Sequence, residues 1–142
     1  MKIFLDANIC LDLLDTTRPT SKESIKWYML NKDDISKEFY FSGDFITTFY
    51  YILTQKRKLS PKDVINAIDA LCMEIEPIYL THSDFSTAKN SFVQGLFDDF
   101  EDLIVLQSCV RNGCEQFITN DKKLLNLVSF NNIKIQTPEG NK

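Results

Sequence analysis

The 142-residue chain has a single histidine, four scattered cysteines and no long apolar run. The lone His82 argues against a zinc enzyme or a histidine-based catalytic triad. The cysteines form no C-x-x-C pair, and we expect them to be buried thiols rather than disulfides or zinc ligands; they are Cys10, Cys72, Cys109 and Cys114. Without a run of about 18 apolar residues or a secretory signal pattern, the sequence predicts a cytoplasmic protein with no membrane contact.

Strong charge of one sign is also lacking. The net charge of −4 argues against non-specific nucleic-acid binding by the whole surface, because that binding depends on neutralising phosphates. A local basic rim is still compatible with this charge. The candidates for it are Lys56-Arg57-Lys58, with Lys62 beyond, and Lys122 and Lys123, which follow Asp121. The alternative is that Lys56 to Lys58 close a helix, where cations complement its negative end, and for Lys122 and Lys123 a structural role and phosphate contact both stay open.

Short apolar segments alternate with helical patterns along the chain. The segments 2–5, 39–41, 77–80, 116–119 and 133–135 read as strands, the last of them at an edge of the sheet. Such alternation indicates a mostly parallel sheet that is covered by helices on both faces. The helical segment from Phe45 to Leu53 is apolar on more than one face, so we expect it to be deeply buried or to meet a partner. No repeat, low-complexity tract or linker divides the chain, which predicts a single domain over residues 1–142.

Three aspartates are predicted to meet at one edge of that sheet. Asp6 follows the first strand, Asp121 follows the strand at 116–119, and Asp102 lies at the start of the preceding helix. In a right-handed β-α-β unit, the amino end of the helix and the carboxyl end of the next strand lie at the same edge. Converging carboxylates need cations to remain ionised, and Mg²⁺ or Mn²⁺ suits a site of oxygen ligands.

Each of these polar residues also has a purely structural interpretation. Asp6, Asp99 and Asp121 are all favourable caps for the helices that follow them, and Asp99 is preferred over Asp102 as the cap of its helix. For Asp121, the roles of cap and ligand are compatible. Asn8 is either a support of the site or a first-turn residue, and Thr119 either a support or the β-branched end of a strand.

Three segments of the chain resemble the signature segments of PIN domains, in the same order and at similar spacing. They are Ile3-Phe4-Leu5-Asp6-Ala7-Asn8, Asp99-Phe100-Glu101-Asp102 and Phe117-Ile118-Thr119-Asn120-Asp121, and the run from Ile46 to Leu53 resembles the second helix motif of bacterial PIN proteins. The resemblance implies an α/β/α sandwich with a five-stranded parallel sheet. Small bacterial members are mostly toxins of VapBC-type toxin-antitoxin pairs. The resemblance therefore also implies a metal-dependent ribonuclease that cuts RNA, is silenced by an antitoxin and forms a homodimer.

The resemblance assigns roles to individual residues. Asp6, Asp102 and Asp121 would hold Mg²⁺ or Mn²⁺, and Asp99 would be an auxiliary catalytic acid one turn before Asp102. Asn8 and Thr119 would then orient the carboxylates.

One position departs from the family pattern. Thr48 stands where the family usually has an acidic residue, and a neutral hydroxyl binds a metal less strongly than a carboxylate. Asp44, four residues earlier on the same helical face, either supplies the missing charge or favours the amino end of its helix.

Two other functions fit parts of the pattern. The first is a PIN-fold protein that has lost catalysis at Thr48 and binds RNA or a protein partner. The second is phosphoryl transfer with Asp6 as the nucleophile. That second class normally has another aspartate two residues later, where this chain has Asn8.

Overall fold

Six strands form one sheet in the computed structural model of the protein, which describes residues 1–139. The last three residues of the expected 1–142 domain lie outside the described residues. The strands are β1 (Lys2–Leu5), β2 (Glu38–Ser42), β3 (Glu76–Ile78), β4 (Gln116–Ile118), β5 (Ser129–Phe130) and β6 (Ile133–Gln136). Their order across the sheet is β3-β2-β1-β4-β6-β5, and the pairs from β3 to β6 are parallel. The predicted parallel architecture is confirmed.

The sequence-based strand count was one too low. β5 is a two-residue strand that pairs antiparallel with β6, so the segment predicted to be the edge strand, 133–135, has neighbours on both sides. The two strands are joined by Asn131 and Asn132, whose φ angles of 45° and 68° are those of a tight two-residue hairpin loop. A strand of two residues is too short to show an alternating pattern, which explains why it was missed.

Within residues 1–139, seven α-helices connect the strands. They are α1 (Ala7–Leu14), α2 (Ser21–Asn31), α3 (Ile46–Tyr51), α4 (Pro61–Glu74), α5 (His82–Val93), α6 (Phe100–Arg111) and α7 (Lys122–Leu127). A 3₁₀ turn (Gly43–Phe45) precedes α3 and a π-helical segment (Ile52–Lys56) follows it, so the apolar stretch expected as one helix is three consecutive helical segments. Within residues 1–139, no helix combines the length and apolar composition needed to cross a membrane.

Hydrophobic residues pack against both faces of the sheet. Side chains alternate along β1: Ile3 and Leu5 join the core beneath α1 to α4, and Phe4 joins the core beneath α5 to α7. The apolar stretch before the π-helical segment contributes Phe49 and Leu53 to the first core and leaves Tyr51 exposed. The three-layer α/β/α arrangement expected from the sequence is therefore present.

An ion pair anchors the loop between β3 and α5. Asp84 is only 1% exposed, and the guanidinium of Arg111 donates to both of its carboxylate oxygens, from Nε to Oδ1 and from Nη2 to Oδ2, at 2.9 Å each. Nη2 of Arg111 also donates to the carbonyl oxygen of Tyr79 at 2.8 Å. Asp84 and Thr81 form the reciprocal capping box that the sequence predicts at the start of α5. The backbone of this loop is therefore held from two sides.

Removing the cation of this pair should destabilise the protein. Arg111→Ala leaves the buried Asp84 carboxylate without its charged partner, and we expect the free energy of unfolding to fall by about 3 kcal/mol. Urea unfolding measures the change. Lys32→Ala, which breaks the exposed Lys32–Glu74 pair, is the control and should cost less than about 1 kcal/mol. Equal effects of the two substitutions would contradict the prediction.

Candidate active site

Asp6 and Thr119 lie side by side where two neighbouring parallel strands end. β1 and β4 are paired with Leu5 opposite Ile118, so the next residue of each strand lies at the carboxyl edge of the sheet. The amide of Asp6 donates to the carbonyl oxygen of Ile118 at 2.9 Å. The hydroxyl of Thr119, which is fully buried, donates to Oδ2 of Asp6 at 2.8 Å. The strand pairing therefore fixes the position of the first predicted metal ligand.

Asn8 completes a hydrogen-bonded group around Asp6. Its Nδ2 donates to Oδ2 of Asp6 at 3.2 Å and to Oγ1 of Thr119 at 3.1 Å. Its Oδ1 accepts from the amide of Asn120 at 3.0 Å, and Oγ1 of Thr119 accepts from the amide of Asp121 at the same distance. Asn8 and Thr119 thus contact Asp6 and also fix the backbone that leads to Asp121.

Burial and hydrogen bonding shift the pKa of the Asp6 carboxyl group in opposite directions. The side chain is only 9% exposed, and this burial is the main reason that the pKa of Asp6 is raised above its ordinary value. Hydrogen bonds from Thr119, Asn8 and the Ala7 amide lower the pKa of Asp6, whereas the charge of Asp121 raises it. The Ala7 amide donates to Oδ1 at 2.8 Å, so Asp6 also caps α1.

Asp99 and Asp102 share the start of α6. Asp99 is the amino-terminal cap, and its Oδ1 accepts from the amide of Asp102 at 3.1 Å, as the sequence predicts. Burial, followed by the charges of Asp99, Asp6 and Asp121, raises the pKa of Asp102 to about 7. The negative charges of Asp99, Asp6 and Asp121 thus all act on Asp102 and favour its protonated form.

Asp121 begins α7, where its Oδ1 accepts from the amide of Lys123 at 2.9 Å. Its charge acts on both Asp6 and Asp102, so the three carboxylates predicted to meet share one electrostatic environment.

Within the part of the chain that the structure describes, no three acidic, histidine or cysteine side chains form a ready-made metal cage. The set of donors is nevertheless carboxylate oxygen, and the negative charges of Asp99, Asp6 and Asp121 add to burial, the largest cause, in raising the pKa of Asp102. Both properties fit a hard divalent cation such as Mg²⁺ or Mn²⁺.

Thr48 and Asp44 both lie in the helical region that follows β2, Asp44 in the 3₁₀ turn and Thr48 in α3. Both side chains are exposed. Asp44 is an acidic residue of the first turn of its helical segment, in keeping with the expectation that it favours the amino end. Its Oδ2 also accepts from the amide of Leu80 at 2.8 Å, which anchors the β3–α5 loop. Neither Asp44 nor Thr48 is among the groups that shift the pKa of Asp6 or Asp102.

Lys122 and Lys123 are exposed in the first turn of α7. Nζ of Lys123 lies 3.6 Å from Oδ2 of Asp98, which is also exposed. Both lysines therefore present positive charge to solvent directly beside the acidic group.

Sequence reasoning missed a second polar network behind the site. Asp12 of α1 is fully buried and accepts from Nε of Arg18 and from the hydroxyls of Thr20 and Ser24, at 2.8, 2.8 and 2.5 Å. Nδ2 of Asn120 lies 3.4 Å from Oδ2 of Asp12, which connects the loop before Asp121 to α1. The available signal was one acid inside the apolar run from Ile9 to Leu14, since a charge there must be buried with partners.

The raised pKa of Asp102 predicts that replacing its charge stabilises the protein at neutral pH. From about pH 4 to pH 7 the folded state keeps a proton that the unfolded chain has released, so stability is lost as the pH rises through this window. Asp102→Asn cannot lose that proton. In the presence of a chelator at about pH 8 it should be more stable than wild type by about 1–2 kcal/mol, allowing for solvent screening of a partly exposed group.

Thermal unfolding at about pH 8 and about pH 4 measures the effect, which should vanish at the lower pH. The exposed Asp33→Asn, in the turn before β2, is the matched control and should show no such pH dependence. A difference between Asp102→Asn and wild type that is the same at both pH values would refute this account.

Three solved structures share the fold. VapBC2 from Rickettsia felis, bound to a DNA fragment from its promoter, matches with a TM-score of 0.66 and 13% identity over 96% of this chain and 98% of that chain. Mycobacterium tuberculosis VapC20, a toxin that cleaves the sarcin-ricin loop, has a TM-score of 0.68 and 13% identity over 93% and 98% of the two chains. VapBC-1 from nontypeable Haemophilus influenzae has a TM-score of 0.68 and 17% identity over 98% and 99%. At these identities the likeness concerns the fold alone.

A relative that is closer in sequence identifies the family, although no family model matches the chain. Ribonuclease VapC1 of Aquifex aeolicus (strain VF5) is 32% identical over 132 residues, which cover 85% of this chain and 82% of the relative. The alignment therefore spans most of both proteins, in agreement with the PIN-type fold and with the order of the signature segments. The chain belongs to the VapC family of PIN-domain proteins.

Proposed function

We propose that this protein is a divalent-metal-dependent ribonuclease, the toxin of a type II toxin-antitoxin pair. The observation that carries the proposal is the convergence of the charges of Asp6, Asp99 and Asp121 on Asp102 at the carboxyl edge of the sheet. Membership of the VapC family supports it, because a relative of similar length is named a ribonuclease.

In this proposal Asp6, Asp102 and Asp121 hold Mg²⁺ or Mn²⁺. The bound ion supplies Lewis-acid polarisation of the scissile phosphate and a water of lowered pKa. Thr119 and Asn8 orient the Asp6 carboxylate through the hydrogen bonds to Oδ2. Asp99 fixes the first turn of α6 and adds negative charge beside Asp102, which favours cation binding.

A second candidate function is a PIN-fold module that binds RNA or protein without cutting RNA. The specific observation that favours it is Thr48, which is neutral and exposed where the family usually carries an acid. With Thr48 at that position, the site has three carboxylate ligands instead of four, and it is expected to hold the cation less tightly. The two candidates differ in one measurable property, namely cleavage that depends on the metal.

The proposed partners follow from the family. Two of the structural neighbours are VapBC assemblies, which supports a cognate antitoxin for this chain as well. We also propose RNA as the substrate and a homodimer as the assembled state.

The central test combines metal binding with RNA cleavage. Asp6→Asn and Asp102→Asn remove one charge each from the acidic group, and we expect either change to weaken Mn²⁺ binding at least tenfold and to abolish cleavage. Calorimetric titration with Mn²⁺ and Mg²⁺ and an RNA cleavage assay should be run on the same samples, cleared of any co-purified antitoxin. Asp33→Asn is the control and should behave like wild type.

The outcomes separate the two functions. Wild-type protein that binds no divalent ion and cuts no RNA, although folded, would exclude the nuclease and favour the binding module. Cleavage that survives in both variants would show that neither Asp6 nor Asp102 is required for catalysis and would overturn the proposed metal site.

Lys122 and Lys123 are proposed to contact the RNA backbone. If each neutralises one phosphate, Lys122→Ala/Lys123→Ala should weaken RNA binding and reduce the slope of log K against log salt by roughly 1.4. Filter binding over a range of salt concentrations measures both quantities. Lys56→Ala/Lys58→Ala, a pair of exposed lysines after α3, is the control; an equal change in slope for both pairs would exclude a specific role for the first.

A further inference from the structure

We infer that Tyr79 is a stacking platform for an unpaired base of the RNA substrate. The inference rests on the proposed ribonuclease function and names a residue that determines how the substrate lies on the site. Tyr79 follows β3 and is 55% exposed. Three observations support it: the position of Tyr79 in the sheet, the packing of its ring and the rigidity of its backbone.

The register of the sheet places Tyr79 at the same edge as Asp6. Phe4 pairs with Tyr40, and Tyr40 pairs with Glu76, so Asp6 is level with Ser42 and with Ile78 across three parallel strands. Tyr79 is the next residue after Ile78. Because neighbouring strands lie ~4.8 Å apart, Tyr79 stands about 10 Å from Asp6 along the carboxyl edge. A single strand bound at the acidic group can reach this position within a few nucleotides.

The ring of Tyr79 packs on the backbone of Gly43. A Cβ atom at Gly43 would lie 2.5 Å from Cε1 and Cζ of the ring and 2.9 Å from its hydroxyl oxygen, a distance that real Cβ atoms do not tolerate. Glycine is therefore required for the ring to lie where it does. The outer end of the ring lies against Gly43 in this way, while more than half of the residue is exposed.

The backbone around Tyr79 is fixed by side chains from three elements. The carbonyl oxygen of Tyr79 accepts from Arg111, and the next amide, that of Leu80, donates to Asp44 at 2.8 Å. The amide of Thr81 then donates to Asp84 at 2.9 Å. Because the backbone that carries the ring is already fixed, stacking of a ligand on Tyr79 has only the side chain left to order, which keeps the entropy cost small.

For an acidic nuclease, base stacking is a better source of RNA affinity than additional positive charge. The protein carries a net charge of −4, and the acidic group beside the scissile phosphate repels the rest of the RNA backbone. A base stacked on tyrosine gains affinity without needing positive charge, and every base has an aromatic face to offer. Tyr79 therefore supplies attraction of a kind that the neighbouring carboxylates do not weaken.

The experiment measures RNA binding separately from cleavage. In the background of Asp6→Asn, Tyr79→Leu keeps an apolar cover over Gly43 but removes the aromatic face, and Tyr79→Phe keeps the ring. The matched control is Tyr51→Leu, because Tyr51 in α3 is 56% exposed. The probe is oligoadenylate with 2-aminopurine at one position, read by its affinity and by quenching of its fluorescence on stacking. Thermal unfolding verifies that each variant is folded.

We expect Tyr79→Leu to weaken binding about 5- to 100-fold and to abolish the quenching. Tyr79→Phe and Tyr51→Leu should both bind like the Asp6→Asn parent. A folded Tyr79→Leu variant that binds within about twofold of the parent overturns the inference, as does an equal loss in Tyr51→Leu or a parent that does not bind the probe.

The same samples distinguish this inference from the proposed function. Metal-dependent cleavage by the wild-type protein, without binding that depends on Tyr79, overturns the inference and leaves the nuclease standing. Binding and quenching that depend on Tyr79, in a protein whose wild type cuts no RNA, confirm the stacking and overturn the nuclease.

Discussion

The hydrogen bond from Thr119 to Asp6 is the interaction on which the site depends. It joins the ends of two neighbouring strands and holds a carboxylate that is almost completely buried. A buried carboxylate without partners would be costly, and its neutral form would be favoured. Thr119 and Asn8 offset this cost, and through the Asp121 and Asn120 amides they also set the course of the loop after β4. One small polar group therefore determines where two of the three proposed ligands lie.

Three of the acidic residues serve the fold and the site together. Asp6, Asp99 and Asp121 each accept a hydrogen bond from a backbone amide at the start of a helix. These bonds stabilise the charged form of a carboxylate and fix its position. The cap and ligand interpretations of the sequence are therefore compatible in physical terms. Asp102 is not a cap, and burial together with its acidic neighbours raises its pKa to about 7.

Local patterns in the sequence were sufficient to predict the parallel sheet, the helix starts and the position of Asp6. Asp6 and Asp121 follow short segments that the sequence predicts to be strands, and β-α-β handedness then brings their edges together. The partners of Asp44 were beyond such reasoning, because the Leu80 amide is 36 residues away and belongs to another strand end. The contact between Asn120 and Asp12 was beyond local patterns for the same reason, since the two residues are 108 positions apart and only the fold brings them together. β5 was missed because pairing with β6, rather than its own pattern, makes it a strand.

The hairpin at Asn131 and Asn132 has a consequence for how this protein can associate. A sheet edge with free backbone groups invites pairing with another chain. On one side the edge is β5, which offers only two residues. On the other side it is β3, three residues long, whose central residue is Pro77 and has no amide hydrogen to donate. Both edges are thus poor templates for a further strand, so association through the helices and loops is favoured over extension of the sheet by a partner or a second copy.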